Sequence, residues 1–222
     1  MKFKKYIQFI NESIDVDDLV YDIKPRKHRI PEIAIEDLGI KEPPKSSSIE
    51  TKRELEEISK LPKPDAFDIR ADKNFSDIFA EFLAKKNDGP GAKNIPEKRI
   101  HMYSDRVKQI VIALKNHFNR PRPEQVAPYH GIKLDVYPST SADTPAYPSG
   151  HSVQPFAIAE ALSKEYPDLK NELLALADRI ATSRLRMKIH YPSDYEYGKT
   201  LGIKIGNLLK IWNLPSLHSY NY

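Results

Sequence analysis

Ser183-Arg184-Leu185-Arg186-Met187-Lys188-Ile189-His190-Tyr191-Pro192-Ser193-Asp194 is the stretch on which the reading of this chain turns. Upstream of it, Leu169, Leu173, Leu176 and Ile180 recur at helical spacing, which predicts a helix capped by Asp168 and running to about residue 186. Downstream, Pro192 suits a first helical turn, and a helix is predicted over 192–212 with Leu201, Ile205, Leu208 and Trp212 as its apolar stripe. The stretch therefore joins a helix end that carries Arg184 to a helix start that carries Asp194, with His190 between them. A carboxylate four residues after a histidine can hold one imidazole nitrogen and leave the other as a nucleophile. The plainer account makes Asp194 an acid that complements a helix N-terminus, and the stretch alone leaves both open.

Gly198, Gly202 and Gly206 recur every four residues along the last predicted helix. Each costs about 1 kcal/mol of helix propensity relative to alanine, so the strip predicts a neighbouring helix packed very close. Upstream stands Tyr147-Pro148-Ser149-Gly150-His151-Ser152, ahead of a helix predicted over about 151–166 in which Pro155 fits only near the first turn. A serine and a glycine entering a helix present free backbone N–H groups to an anion, and a histidine in the first turn can carry a proton near neutral pH. An ordinary Ser149 cap beside a half-buried His151 accounts for the same residues.

Further upstream, Val107, Ile110, Val111 and Leu114 define a helix from about 100 that must end near Asn119, because Pro121 drives Arg120 out of helical angles. Lys115 in its last turn and Arg122 beyond the break bring a point charge and a planar fork toward one anion from two backbone directions. Compensation of a helix C-terminus explains the same cations more simply. Residues 120–149 read as a long, ordered, proline-studded loop.

Earlier still, helices are predicted at about 49–60, with Ser47 and Glu50 as a capping box, and at about 73–86, with Phe75, Ile78, Phe79, Phe82 and Leu83 on one face. Asp88-Gly89-Pro90-Gly91 breaks the chain after the second. Residues 1–48 read as an extended or partly disordered N-terminal arm, rich in polar residues and prolines from 14 onward, and 49–222 as one α-helical domain. Strand signals are nearly absent, so the fold class is mainly α.

Composition bounds the function. The 222 residues are 40% hydrophobic and 30% charged, with net charge +4, 18 prolines, 8 glycines and no cysteine. The missing cysteine excludes a disulfide scaffold, a zinc–thiolate site and a cysteine nucleophile. The modest positive balance suits anionic ligands but lacks the dense Lys/Arg stripe of a nucleic-acid binder. No apolar run approaches the ~20 residues of a membrane span, and the patch Tyr6–Ile10 falls short of a secretory core of ~7–15 residues. These features predict a cytoplasmic protein with no transmembrane segment. Tyr129, Tyr147, Tyr191, Tyr195 and Tyr197 gather around the three stretches, where packing is a better account of them than lining a site.

Taken in order, the three stretches resemble the signature of the type 2 phosphatidic acid phosphatase and vanadium haloperoxidase superfamily: K-x6-R-P, then P-S-G-H, then S-R-x5-H-x3-D. Lys115, Arg122 and Pro123 fill the first, Pro148, Ser149, Gly150 and His151 the second, and Ser183, Arg184, His190 and Asp194 the third. Chance agreement at all of these positions is negligible. The resemblance covers about residues 100–212 and implies that family's α-bundle. It implies that Lys115, Arg122 and Arg184 grip phosphate oxygens, helped by Ser149 and the Gly150 amide. His190 would attack phosphorus, Asp194 would orient it, and His151 would protonate the leaving group and then activate water. No metal ion is implied. The expected activity is hydrolysis of phosphomonoesters, or of pyrophosphates, through a phosphohistidine, with a small phosphorylated substrate and no nucleic-acid partner.

Vanadate copies the phosphoryl transition state, so the resemblance equally implies a vanadium-dependent haloperoxidase, with vanadate as cofactor rather than inhibitor. The family's haloperoxidases are typically longer chains, which favours the phosphatase. A non-catalytic interaction protein is the third reading, with the N-terminal arm as the surface for a partner or for self-association. Many relatives are membrane-embedded lipid phosphatases, but the charge on 168–188 (Asp168, Lys170, Glu172, Asp178, Arg179, Arg184, Arg186, Lys188) is too high for a bilayer helix.

Overall fold

The computed structural model describes residues 15–19, 38–86, 97–139 and 141–208. Its helices are α1 (Ile49–Ser59), α2 (Ala66–Lys86), α3 (Glu97–Phe118), the single turn α4 (Pro123–Val126), α5 (Gly150–Ser163), α6 (Lys170–Arg186) and α7 (Pro192–Leu208), and no strand occurs among the described residues. The predicted bundle is thus observed. The Asp88–Gly91 break, the last predicted turn through Trp212, the Tyr6–Ile10 patch and most of the arm lie outside the described residues.

α5 is the axis of the bundle. Every residue from Ser152 to Ser163 is buried, as expected of a helix enclosed on all sides, and α3, α6 and α7 pack against it. The glycine strip of α7 makes its closest approach possible. A Cβ at Gly202 would lie 2.5 Å from Val153 O and 2.8 Å from Phe156 Cβ, and one at Gly206 would lie 2.7 Å from Ala157 O. Backbone therefore meets backbone along this seam, as the sequence predicts.

Several boundaries differ from expectation. Ser48, not Ser47, caps α1, its Oγ accepting from Thr51 N at 3.2 Å. Ser47 instead bonds Asp17 through both N and Oγ, tying residues 15–19 to the bundle, where Leu19 is buried. α2 starts at Ala66 rather than 73 because it is two helical pieces merged at Asn74, whose φ of −158° and ψ of 83° are not helical; the stripe from Phe75 onward marks only the second piece. Asp168 sits in a 3-10 turn before α6 and caps nothing. Pro155 falls in the second turn of α5, not the first, so the His151 carbonyl has no α-helical N–H to accept.

α3 ends as its sequence requires: Asn119 takes the left-handed conformation, φ 45°, which asparagine tolerates. The loop after α4 is anchored by Ala146 N donating to Arg120 O at 2.8 Å and Tyr137 N to Met187 O at 3.0 Å, and Tyr147-Pro148 is cis. No helix among the described residues is long and apolar enough to cross a membrane.

Candidate active site

The three sequence stretches meet at one end of the bundle, where α3 ends and α5 and α7 begin. The starts of α5 and α7 are joined directly, Ser149 N donating to Asp194 O at 3.1 Å. Lys115, Arg122, Gly150, His151 and His190 all line one cavity of about 460 Å3, whose outer wall is Asp72 to Ser76 at the α2 kink together with His101, Asp105 and Lys108 of α3. Arg184, Ser149 and Asp194 are buried around it.

His190 is held in one tautomer. Its Nδ1 lies 2.9 Å from Asp194 Oδ2 and its Nε2 2.9 Å from Arg122 NH1. A guanidinium only donates, so Nε2 accepts with its lone pair, and Nδ1–H donates to the carboxylate. Burial, then the cations Arg122, Lys115 and Arg184, push the His190 pKa well below its ordinary value. The ring is therefore neutral, the form in which imidazole is a nucleophile.

Asp194 is completely buried and held by three donors: Oδ2 also accepts from Tyr191 N at 3.0 Å, and Oδ1 accepts from Arg120 NH1 at 2.6 Å. His151 sits edge-on to Phe75, ring centroids 5.1 Å apart, and its Nε2 donates to Asp72 O at 3.3 Å. Burial and then Arg184 hold its pKa well below the ordinary histidine range, against the pull of Asp72.

The cations are held by backbone oxygens and one acid. Lys115 Nζ donates to Pro145 O and, at 3.2 Å, to Ala146 O; burial and Arg122 press its pKa down while Asp194 raises it. Arg122 donates to Thr144 O and Ile189 O, both at 2.8 Å. Arg184 pairs with Asp72 and donates to Ser141 Oγ at 2.8 Å, but its buried Nε has no partner. Buried Ser149 Oγ is likewise unpartnered and does not cap α5. Two such buried groups beside several cations are of the chemistry that could hold an anion.

All eight residues implied by the resemblance are brought together. Sequence reading missed Asp72, Ser139 and Ser141, which meet Arg184 from α2 and the loop. Burial would raise the Asp72 pKa, but Arg184 and the two hydroxyls hold it below the ordinary carboxylate value. It also missed Arg120 and Glu54. The tyrosines pack behind the site: Tyr147 stacks on Tyr197 at 4.9 Å, and the Arg120 guanidinium lies 3.8 Å from the Tyr191 ring centre. Tyr147 and Tyr197 donate to Lys41 O and Gly39 O of the segment before α1.

A helical bundle with buried cations beside a carboxylate-held histidine defines the class, and comparison with known proteins names the family. The PAP2 superfamily pattern matches residues 106–218, and the chain belongs to that superfamily. Among solved structures, a bacterial vanadium-dependent iodoperoxidase is similar at TM-score 0.58 and 20% identity, over 79% of this chain and 53% of that one. This chain thus spans about half the length of that protein. A transmembrane PAP2-type phosphatidylglycerolphosphate phosphatase from Bacillus subtilis aligns at TM-score 0.45 and 16% identity, over 71% of this chain and 81% of that one. A search of curated proteins gave no match.

Proposed function

We propose that this protein is a phosphatase that hydrolyses small phosphomonoesters, or pyrophosphates, through a phosphohistidine and without a metal ion. The observation that carries the reading is the neutral His190, its Nδ1–H given to Asp194 and its Nε2 lone pair in a cavity lined by Lys115 and Arg122. Nε2 attacks phosphorus in line while the bond to the leaving oxygen breaks, and His151 gives that oxygen a proton. Water then attacks the phosphohistidine as His151 takes its proton back, releasing phosphate and restoring neutral His190. Lys115, Arg122, Arg184, Ser149 Oγ and the Gly150 amide stabilise the charge spread over the transferring group.

A general acid must be protonated, yet the free site keeps His151 neutral. The incoming phosphate resolves this, because its negative charge lies among the same cations and raises the pKa of every cationic group around it.

The same donors suit vanadate, and similarity to the iodoperoxidase brings peroxidase chemistry forward as the second reading; vanadate, when bound, would supply the peroxide activation. The test is p-nitrophenyl phosphate hydrolysis in EDTA by wild type and His190→Ala. Turnover that EDTA spares, vanadate inhibits and His190→Ala abolishes is expected. Equal turnover by both proteins, or strict Mg²⁺ dependence, refutes the mechanism. Halide oxidation by the vanadate-loaded protein with peroxide, and no hydrolysis, would establish the second reading.

A further inference from the structure

Behind the His190–Asp194 pair stands a second buried ion pair, whose acid comes from outside the segment that matches the family pattern. Arg120 is 3% exposed and donates from one nitrogen, NH1, to Asp194 Oδ1 at 2.6 Å and Ser193 Oγ at 2.7 Å. Its other nitrogen, NH2, donates to Glu54 Oε2 at 2.9 Å. Glu54 Oε1 accepts from Ser193 N at 2.6 Å. Glu54 thus grips both ends of the turn that presents Asp194: the Ser193 amide directly and the carboxylate through Arg120. It belongs to α1, well before residue 106 where the family match begins.

We propose that Glu54 and Arg120 are positioning residues for the reaction, fixing the Asp194 carboxylate so that His190 keeps its Nδ1–H tautomer, and that α1 is therefore part of the catalytic apparatus. The inference rests on the role of His190 under Proposed function. Its physical basis is the pinning of Asp194: Arg120 holds Oδ1 while Tyr191 N holds Oδ2, which fixes the carboxylate plane with Oδ2 at the imidazole. Without Arg120 the carboxylate can rotate and share its charge differently with the ring. Without Glu54, Arg120 keeps its cation but loses the anchor that aims it. A simple packing role would ask only for bulk here, and nonpolar side chains replace buried ion pairs with little loss elsewhere.

The charges also act in opposite senses. His190 faces Arg122 and Lys115 from α3 and the loop beyond it, Arg184 from α6, His151 from α5 and Asp194 from the start of α7. Removing the Arg120 cation leaves Asp194 more effective at stabilising imidazolium, so the acid limb of kcat/KM moves to higher pH. Removing the Glu54 anion moves it to lower pH.

The test compares full-length wild type with Glu54→Gln and Arg120→Gln. The Glu54→Gln side chain keeps a carbonyl oxygen for Ser193 N and is near-isosteric, so this variant reports even if Arg120→Gln folds poorly. Expected are falls in kcat of about tenfold or more with KM changed less than about twofold, acid limbs displaced in opposite directions, and nitrogen-15 spectra of His190 that show one tautomer in wild type and a mixture in each variant. A Glu54→Gln protein with wild-type kcat, pH profile and His190 spectrum overturns the proposal. A changed His190 spectrum in a protein whose wild type hydrolyses no phosphoester sustains the relay while refuting the phosphatase reading.

Discussion

Asp194→Asn is the sharpest probe of the site, because an amide cannot satisfy what surrounds it. Asp194 accepts three hydrogen bonds on two oxygens: from Arg120 NH1 at 2.6 Å on Oδ1, and from His190 Nδ1 at 2.9 Å and Tyr191 N at 3.0 Å on Oδ2. Asparagine offers one oxygen and one NH2. If the oxygen stays toward His190, the NH2 confronts the Arg120 guanidinium, donor against donor. If it turns toward Arg120, the NH2 confronts Tyr191 N and the imidazole. His190 can then accept only by moving its proton to Nε2, where it meets the Arg122 NH1 donor and loses the lone pair that attacks.

Either orientation leaves at least one buried donor without an acceptor. This costs roughly 2 kcal/mol of stability, or about 4–8 °C in Tm for a chain of this size. A histidine forced into the wrong tautomer costs hydrolytic triads about 10⁴-fold in kcat, and a fall of about 10³–10⁴-fold is expected here. Steady-state hydrolysis of p-nitrophenyl phosphate beside calorimetric melting reads both. A variant that keeps kcat within tenfold of wild type would refute the orienter role of Asp194, whatever its Tm.

Two further outcomes follow from packing and charge. Gly202→Ala places a Cβ 2.5 Å from Val153 O and 2.8 Å from Phe156 Cβ; overpacking of this kind costs about 1–3 kcal/mol or more, beyond the ~1 kcal/mol of helix propensity gained, so Tm falls. An unchanged or raised Tm would mean that α5 and α7 are not in backbone contact. His151 and His190 have folded pKa values well below the unfolded value of about 6.5, so the unfolded chain binds more protons as pH drops below that value. Stability is therefore greatest above about pH 6.5 and falls below it, by up to about 1.4 kcal/mol per pH unit for each histidine. Denaturant midpoints at pH 7 and pH 5 measure this, and His190→Gln should flatten the slope; equal slopes would contradict burial of a neutral His190.

The convergence of the candidate residues is legible in sequence because they sit on short, rigid spacings. His190 to Asp194 is one helical turn across a helix start, and Lys115 to Arg122 spans a helix end whose position Pro121 dictates. Those offsets survive any uncertainty about the rest of the fold. Asp72 and Glu54 are invisible by the same logic, because each reaches the site over long range, 112 residues from Arg184 and 66 from Arg120. A lone acid in a charged helix carries no local mark of its partner. The α2 kink was hidden too: Asn74 interrupts helical angles but its side chain offers an acceptor to Asp77 N, so the pattern beyond it reads as an ordinary helix start.

The glycine seam and the α2 kink give two sides of the site different freedom to vary. Where α7 meets α5, each glycine faces backbone or a Cβ with no room for a further atom, so the helix starts that carry His151 and Asp194 share one frame that no rotamer can adjust. The opposite wall, from Asp72 to Ser76 at a break in α2, is made of side chains on a chain already bent out of helical form. Asp72 there pairs with Arg184 and Phe75 packs on His151, so changes in what the cavity admits can accumulate at Lys73, Asn74 and Ser76 without moving either group. The rigid frame and the variable lining of the cavity are in this way assigned to separate positions of the chain.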